Sequence, residues 1–265
     1  MITLKTDAEI ALMREAGLIV GRTLELLKAG VRPGMTTQDL DEIAEREIRG
    51  AGAVPSFKGY RGFPATLCTS VNDEIVHGIP SPTKVLAEGD IVSIDCGAIV
   101  GGLHGDAAVT VGVGTITPAL QALLDVCEES LYRGIAAARL GGRLTDIGAA
   151  VEEHVRPHGY GIVEEYVGHG IGHNLHEDPQ VPNYGRPGRG PRLERGLVLA
   201  VEPMVNLGTR LTRTLADDWT VVTQDGLASA HFEHTFTLTD EGPWILTAED
   251  GGQARLAPLL AGSAA

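Results

Sequence analysis

Cysteine is scarce in this chain, with three in 265 residues at positions 68, 96 and 127, too few and too scattered for a framework of disulfides. No basic, apolar leader of the kind that directs secretion stands at the start. No apolar run approaches the roughly 18 residues a membrane-spanning helix needs. Basic residues number 21 against 35 acidic ones, a formal net charge of −14, which argues against binding nucleic acid or an anionic membrane through a basic patch. Aromatic residues make up only 4% of the chain. No Pro/Ser linker or low-complexity run divides it, so a single domain with one sizeable core is expected, in a reducing cytoplasm.

What the chain does hold is ionisable groups in places where packing gives no reason for them. Gly89 to Val113 reads as two strands joined by a turn at Gly101 and Gly102. Period-two alternation in the first strand places Ile91, Ser93 and Asp95 on one face, with Asp95 at its end; Asp106 opens the second strand. A hairpin of this length can set the two carboxylates side by side, where repulsion raises one pKa unless a cation neutralises them. Glu202 ends the apolar run Leu197 to Val201, and Glu233 lies in an alternating strand from Ala230 to Leu238 that puts His231, Glu233 and Thr235 on one face. A buried carboxylate needs a partner or a metal. His169 belongs to Gly168-His169-Gly170-Ile171-Gly172-His173-Asn174-Leu175-His176-Glu177, where the glycines make a helix unfavourable and point to backbone held close to something. Histidines beside carboxylates are better ligand candidates than isolated ones.

The two halves of the chain are faint copies. An offset of 107 superposes Leu86 on Leu193, Gly89 on Gly196 and Asp95 on Glu202, and also Gly34 on Gly141, Asp39 on Asp146 and Glu45 on Glu152. Helices repeat with it. Thr6-x-x-Glu9 is a capping box ahead of a helix to about Lys28, and a second helix fits Gln38 to Arg49. Thr117-Pro118 starts a third, and Leu144, Ile147, Val151 and Val155 give helical spacing up to Pro157. Each half is thus two helices plus strands bearing carboxylates, which implies an α+β architecture with a pseudo-twofold antiparallel sheet and helices packed on one side. Gly185 to Gly190 reads as a surface loop, and the segment 249–265 as a loosely ordered tail behind a catalytic domain of residues 1–248.

At this point a specific resemblance emerges. Ser70-Val71-Asn72-Asp73-Glu74, Val76-His77-Gly78-Ile79-Pro80, Gly89-Asp90-Ile91-Val92 through Asp95, His104-Gly105-Asp106, Gly168 to Gly172, His176-Glu177-x-Pro179, Val201-Glu202-Pro203-Met204 and Glu233-His234-Thr235 together resemble type I methionine aminopeptidase, over about residues 3 to 248. The resemblance implies the pita-bread fold and removal of N-terminal methionine when the second residue is small. It implies two divalent ions: Asp106 and Glu233 bridging them, Asp95 on one, His169 and Glu202 on the other. So oxygen-rich a set suits manganese, iron, cobalt, zinc or nickel rather than a thiolate-selected ion. A hydroxide held between the ions would attack the first peptide bond. By the same resemblance Glu202 shuttles the proton, His176 stabilises the oxyanion and His77 contacts the scissile amide nitrogen. Phe57, Tyr60, Phe63, Cys68, Leu175 and Trp219 would line the pocket for the thioether side chain.

Asn72 and Ser229 would help hold a structural monovalent cation. His104, His173, His231 and His234 are expected to support or brace the site rather than ligate. Nascent polypeptide N-termini are the expected partners, met in transient association with the ribosome by a monomer. Two rivals share the fold. A proline-directed aminopeptidase or dipeptidase would have the same ligands in a longer chain, and a catalytically silent interaction module would have lost them. A type II methionine aminopeptidase would need a helical insert between Glu202 and Glu233, where there is no room for one.

Overall fold

The computed structural model describes residues 1–262. Two capping boxes start the first helix pair. Thr6 and Glu9 exchange bonds at the head of α1 (Asp7–Gly30), and Thr36 and Asp39 do the same for α2 (Thr37–Gly50). In the second half α3 (Pro118–Ala137) begins with the Thr117 hydroxyl accepting the Leu120 N–H, and α4 (Thr145–Val155) follows.

A nine-stranded sheet runs through the middle. Its principal strands are β1 (Leu67–Val71), β2 (Ile91–Val100), β3 (Leu103–Gly112), β4 (Gly168–Gly170), β5 (Glu177–Val181), β6 (Val198–Val201) and β7 (Glu233–Thr239). All pairings are antiparallel, in the spatial order β1, β2, β3, β7, β6, β4, β5. The β2–β3 and β6–β7 pairs therefore flank the β3–β7 seam as counterparts, as the offset of 107 anticipates. Gly101 and Gly102, at φ 58° and 81°, close the tight β2–β3 hairpin with Val100 opposite Leu103.

The four long helices among the described residues pack chiefly on one face. Val92, Ile94, Cys96 and Ala98 of β2 pack with Val20, Leu24, Leu40 and Ile48 of α1 and α2. Leu199, Val201, Phe236 and Leu238 pack with Leu123, Leu131, Ile147 and Val151 of α3 and α4. Alternation sends the intervening side chains, Asp95 and Asp106 among them, to the other face. All three cysteines are free and buried.

Several boundaries differ from the sequence reading. Asp95 and Asp106 lie inside long strands rather than at their ends, because the ladder continues unbroken to the hairpin turn. The strand expected from Ala230 to Leu238 breaks at Phe232; Ser229–His231 pairs instead with Met204–Asn206, and β7 begins at Glu233. The segment after residue 248, expected to be loosely ordered, carries α5 (Gln253–Gly262), with Leu256 buried in the core that α3 lines and Arg255 over the Tyr132 ring. Residues 263–265 of that segment lie outside the described residues. Gly185 to Gly190 is a surface loop, pinned where Gly188 and Arg189 donate to Asp146 and Thr145.

α1 crosses the sheet closely enough that a Cβ added at Gly105 would stand 2.7 Å from the Gly17 nitrogen. Gly105 precedes Asp106, so this contact sets the height of a site carboxylate above the helix layer. Gly105→Ala should destabilise the fold by about 1–3 kcal/mol in urea unfolding. Gly50→Ala, whose added Cβ meets nothing within 4 Å, should stay within about 0.5 kcal/mol.

Candidate active site

Strand register assembles the acidic cluster. Asp95 stands opposite Ala108, and Ala108 stands opposite Glu233 on its other side, so the two carboxylates flank one row of the open face. Asp106 occupies the next position on that face, two residues back along β3; it is therefore diagonal to Asp95, not directly opposite it, since its partner in register is Gly97. In Asp106's row Thr235 donates to the Asp106 carbonyl at 2.7 Å and accepts its N–H at 3.2 Å. Thr235 faces Ala200, and Ala200 faces His169. Glu202, one residue past β6, brings its carboxylate 3.5 Å from His169 Nε2 and 3.7 Å from His231 Nε2.

These positions fit a metal. Donor atoms of Asp106, His169 and Glu233 lie within 4.8 Å of one another, as do those of Glu202, His231 and Glu233. Asp95 Oδ1, Asp106 Oδ1, Glu233 Oε1 and His231 Nε2 are buried with no hydrogen-bond partner, where an unpaired polar atom is costly. Burial pushes the Asp95 carboxyl up to about 7. Burial first, then neighbouring carboxylates, drives Asp106, Glu202 and Glu233 well above the usual range. A divalent cation would reverse this by favouring the ionised forms. His169 is already in ligand form: burial lowers its pKa to about 3, and Nδ1 lies 2.9 Å from the Gly170 carbonyl, which leaves Nε2 free to coordinate.

The cluster is one end of a cavity of about 380 Å³. Every catalytic, ligand and substrate-pocket residue expected from the sequence lines it: Asp95, Asp106, His169, Glu202 and Glu233, with His77 and His176, and the wall of Phe57, Tyr60, Phe63, Cys68, Leu175 and Trp219. Phe63 meets Trp219 edge-on at 5.0 Å between ring centroids. Tyr60 places its hydroxyl 2.9 Å from His176 Nδ1, and the His176 ring lies 4.3 Å from that of His169. His77, at φ 61°, packs edge-on to Tyr166 and Trp219, and burial lowers its pKa to about 4.

Arg61, Val76 and Gln180 also line the cavity without having been expected there. Gln180 arrives through strand pairing, since it stands opposite His169 in the β4–β5 ladder. His231, expected among the supporting histidines, stands beside the expected ligands, with its ring nitrogen within 4.8 Å of donor atoms of Glu202 and Glu233; its place in alternation with Glu233 was the signal. The other three do support. His104 Nδ1 meets the Ser56 hydroxyl at 2.9 Å, His234 lies between Tyr132 and Thr247, and exposed His173 ties the Gly102 carbonyl to Glu9. Asn72 and Ser229 are bound to each other, Ser229 N–H donating to the Asn72 carbonyl, while the Asn72 side chain serves Asp90 and Ile91.

The raised carboxylates have a thermodynamic sign. In metal-free protein they favour the fold at low pH, and that contribution is lost as pH rises through the folded values, about 7 for Asp95. Buried His169 and His231, both lowered to about 3, act oppositely below the ordinary histidine pKa, but they are already neutral when metal arrives and do not alter the difference that loading makes. Metal must displace the carboxyl protons. The gap in Tm between metal-loaded and chelator-stripped protein should therefore widen from about pH 5.5 to about pH 7.5 in scanning calorimetry; a constant or narrowing gap contradicts this electrostatic account.

Comparison with known proteins agrees with the geometry. The description Metallopeptidase family M24 matches residues 11–240. A methionine aminopeptidase of Clostridium acetobutylicum is 56% identical over 93% of this chain and 99% of its own length. Methionine aminopeptidase 1 of Bacillus subtilis is 55% identical with the same coverage. The crystal structure of methionine aminopeptidase from Thermotoga maritima superposes with a TM-score of 0.92 at 44% identity, covering 94% of this chain and 100% of that one. A prolidase from Pyrococcus furiosus, at 23% identity and TM-score 0.73, shares the fold and extends well beyond it, since 92% of this chain covers only 65% of that one. The architecture is the pita-bread fold that the sequence resemblance implied. With its carboxylates and histidine arrayed on the open face of that fold, and relatives aligned over nearly its whole length, the chain belongs to metallopeptidase family M24, in its methionine aminopeptidase branch.

Proposed function

We propose that the chain is a metal-dependent aminopeptidase that removes the N-terminal methionine of nascent polypeptides and peptides whose second residue is small. One observation carries this reading: the buried carboxylate and imidazole cluster shares a single cavity with an apolar wall of Phe57, Phe63, Cys68, Leu175 and Trp219. Such a wall suits an unbranched, polarizable thioether, and the closeness of wall to cluster suits a bond one residue from the chain end.

Asp106 and Glu233 would bridge two divalent ions, with Asp95 completing one shell and His169 and Glu202 the other; manganese, iron, cobalt, zinc and nickel all suit this donor set. When bound, the ions supply a nucleophile from water at neutral pH and polarise the peptide carbonyl. Glu202, ionised once the site is loaded, would take the proton from water and pass it to the leaving amine. In the tautomer where the Tyr60 hydroxyl donates to Nδ1, 2.9 Å away, His176 would carry its own proton at Nε2, the atom left to donate to the developing oxyanion. His77 is kept neutral by burial and contacts the scissile amide nitrogen.

The cytoplasm is the proposed setting, with the enzyme acting as a monomer on chains leaving the ribosome. Three free thiols, and the absence of any helix among the described residues long and apolar enough to cross a membrane, accord with it.

The test is mass-spectrometric release of the first residue from Met-Ala, Met-Leu and Ala-Pro peptides by chelator-stripped protein titrated with manganese or cobalt. Metal-dependent cleavage of Met-Ala alone is expected. Cleavage of Ala-Pro instead would move the chain to the proline-directed reading, and no cleavage would favour the silent module. His176→Ala at full metal loading should lower kcat by about 100-fold with little change in KM; near-normal turnover would remove His176 from the mechanism.

A further inference from the structure

Arg61 is a cation at the edge of an acidic site, and neither the metal cluster nor the apolar wall has a use for it. It is the only lysine or arginine among the residues lining the cavity. Its neighbour Lys58 is neutralised by Glu45 at 2.6 Å, whereas no carboxylate pairs with Arg61 among the described residues. The backbone presents it deliberately. Arg61 sits in the left-handed region at φ 49° and ψ 25°, inside a turn closed by Gly59 N–H to the Phe63 carbonyl at 2.8 Å and Phe63 N–H to the Tyr60 carbonyl at 2.9 Å. A non-glycine residue adopts that conformation only where its surroundings impose it.

The turn holds the guanidinium 5.3 Å from the centroid of the Tyr60 ring, and Tyr60 in turn bonds His176. Arg61 is therefore exposed to solvent while standing one aromatic ring away from the proposed oxyanion donor.

We infer that Arg61 reads the third residue of the substrate, favouring peptides with an acidic side chain there over those with a basic one. This rests on the aminopeptidase reading above. If the first side chain fills the apolar pocket and the first peptide bond lies over the carboxylate cluster, the chain must leave past the cavity mouth. An extended peptide advances about 3.3–3.6 Å per residue, so the third residue emerges roughly 7 Å from the first, within reach of an arginine at the rim. Elsewhere the protein's net charge of −14 works against acidic substrates, and the cavity carboxylates offset the charge of the ions they would hold. A preference for acid at one position must therefore come from a local cation. Arginine also suits the role geometrically, because its planar fork pairs with carboxylate through two parallel hydrogen bonds.

The experiment compares kcat/KM for Met-Ala-Asp, Met-Ala-Ser and Met-Ala-Lys peptides of equal length, amidated at the C-terminus so that only the side chain varies, with manganese-loaded enzyme. Wild type should favour Asp over Lys by about threefold or more at low salt, chiefly through KM, the size expected of a solvent-exposed ion pair. The ratio should approach one in about 1 M NaCl, where the screening length is only about 3 Å. Arg61→Ala should abolish the preference for Asp, Arg61→Glu should invert the order, and Arg61→Lys should keep part of the preference. Because each variant is judged by a ratio between substrates, a partly misfolded preparation does not disguise the result. Equal constants for Asp and Lys in wild type, or an unchanged ratio in Arg61→Glu, would overturn the inference while leaving the aminopeptidase reading intact. Failure of wild type to cut any of the three would overturn both.

Discussion

Repulsion among buried carboxylates is the constraint around which this molecule is organised. Asp95, Asp106, Glu202 and Glu233 converge on one patch of sheet where solvent cannot screen them, and without a counterion their protons would be held far above ordinary carboxylate pKa values. Such an arrangement is stable as a fold only if the rest of the structure over-determines it, and useful only if something positive binds there. The orphaned oxygens of Asp95, Asp106 and Glu233 express the same fact in hydrogen-bond terms.

The over-determination comes from the sheet. Asp95, Asp106 and Glu233 are placed by hydrogen-bonded register and Glu202 by the strand it follows, and a slip of one residue would send the three strand carboxylates into the helix layer. The apolar residues that alternate with them prevent the slip: Ile94 and Cys96 beside Asp95, Ala107 beside Asp106, and Phe236 further along β7 are buried against α1 to α4. Hydrophobic burial on one face thus holds the charge on the other. The close approach of Gly105 to Gly17 ties helix layer and metal face together with no side chain between them.

The cavity is built on the same plan, in layers outward from the cluster. Neutral imidazoles stand nearest to it, then the aromatic and aliphatic wall, and at the rim a turn that carries Arg61 in a strained conformation. Tyr60 belongs to two of these layers, since it bonds His176 and lies beneath the Arg61 guanidinium.

Much of this was legible in one dimension. Capping boxes, the Gly101-Gly102 turn and the apolar periodicities are local chemistry, so helices and hairpin could be read directly, and the offset of 107 made the twofold plan visible. The motif residues too could be named, because ionisable groups embedded in β-branched runs have few structural excuses. What only the tertiary structure decided were relations between segments distant in sequence. That Asp106 lies diagonal to Asp95, that His231 points at Glu202 rather than away, and that α5 docks beside α3 all depend on which strands and helices pair. Arg61 and Gln180 entered the cavity for the same reason: one by a left-handed turn, the other by its partner across a ladder. Sequence determines which side chains can do this chemistry through their composition and local spacing, whereas register and packing, which are non-local, decide which of them meet.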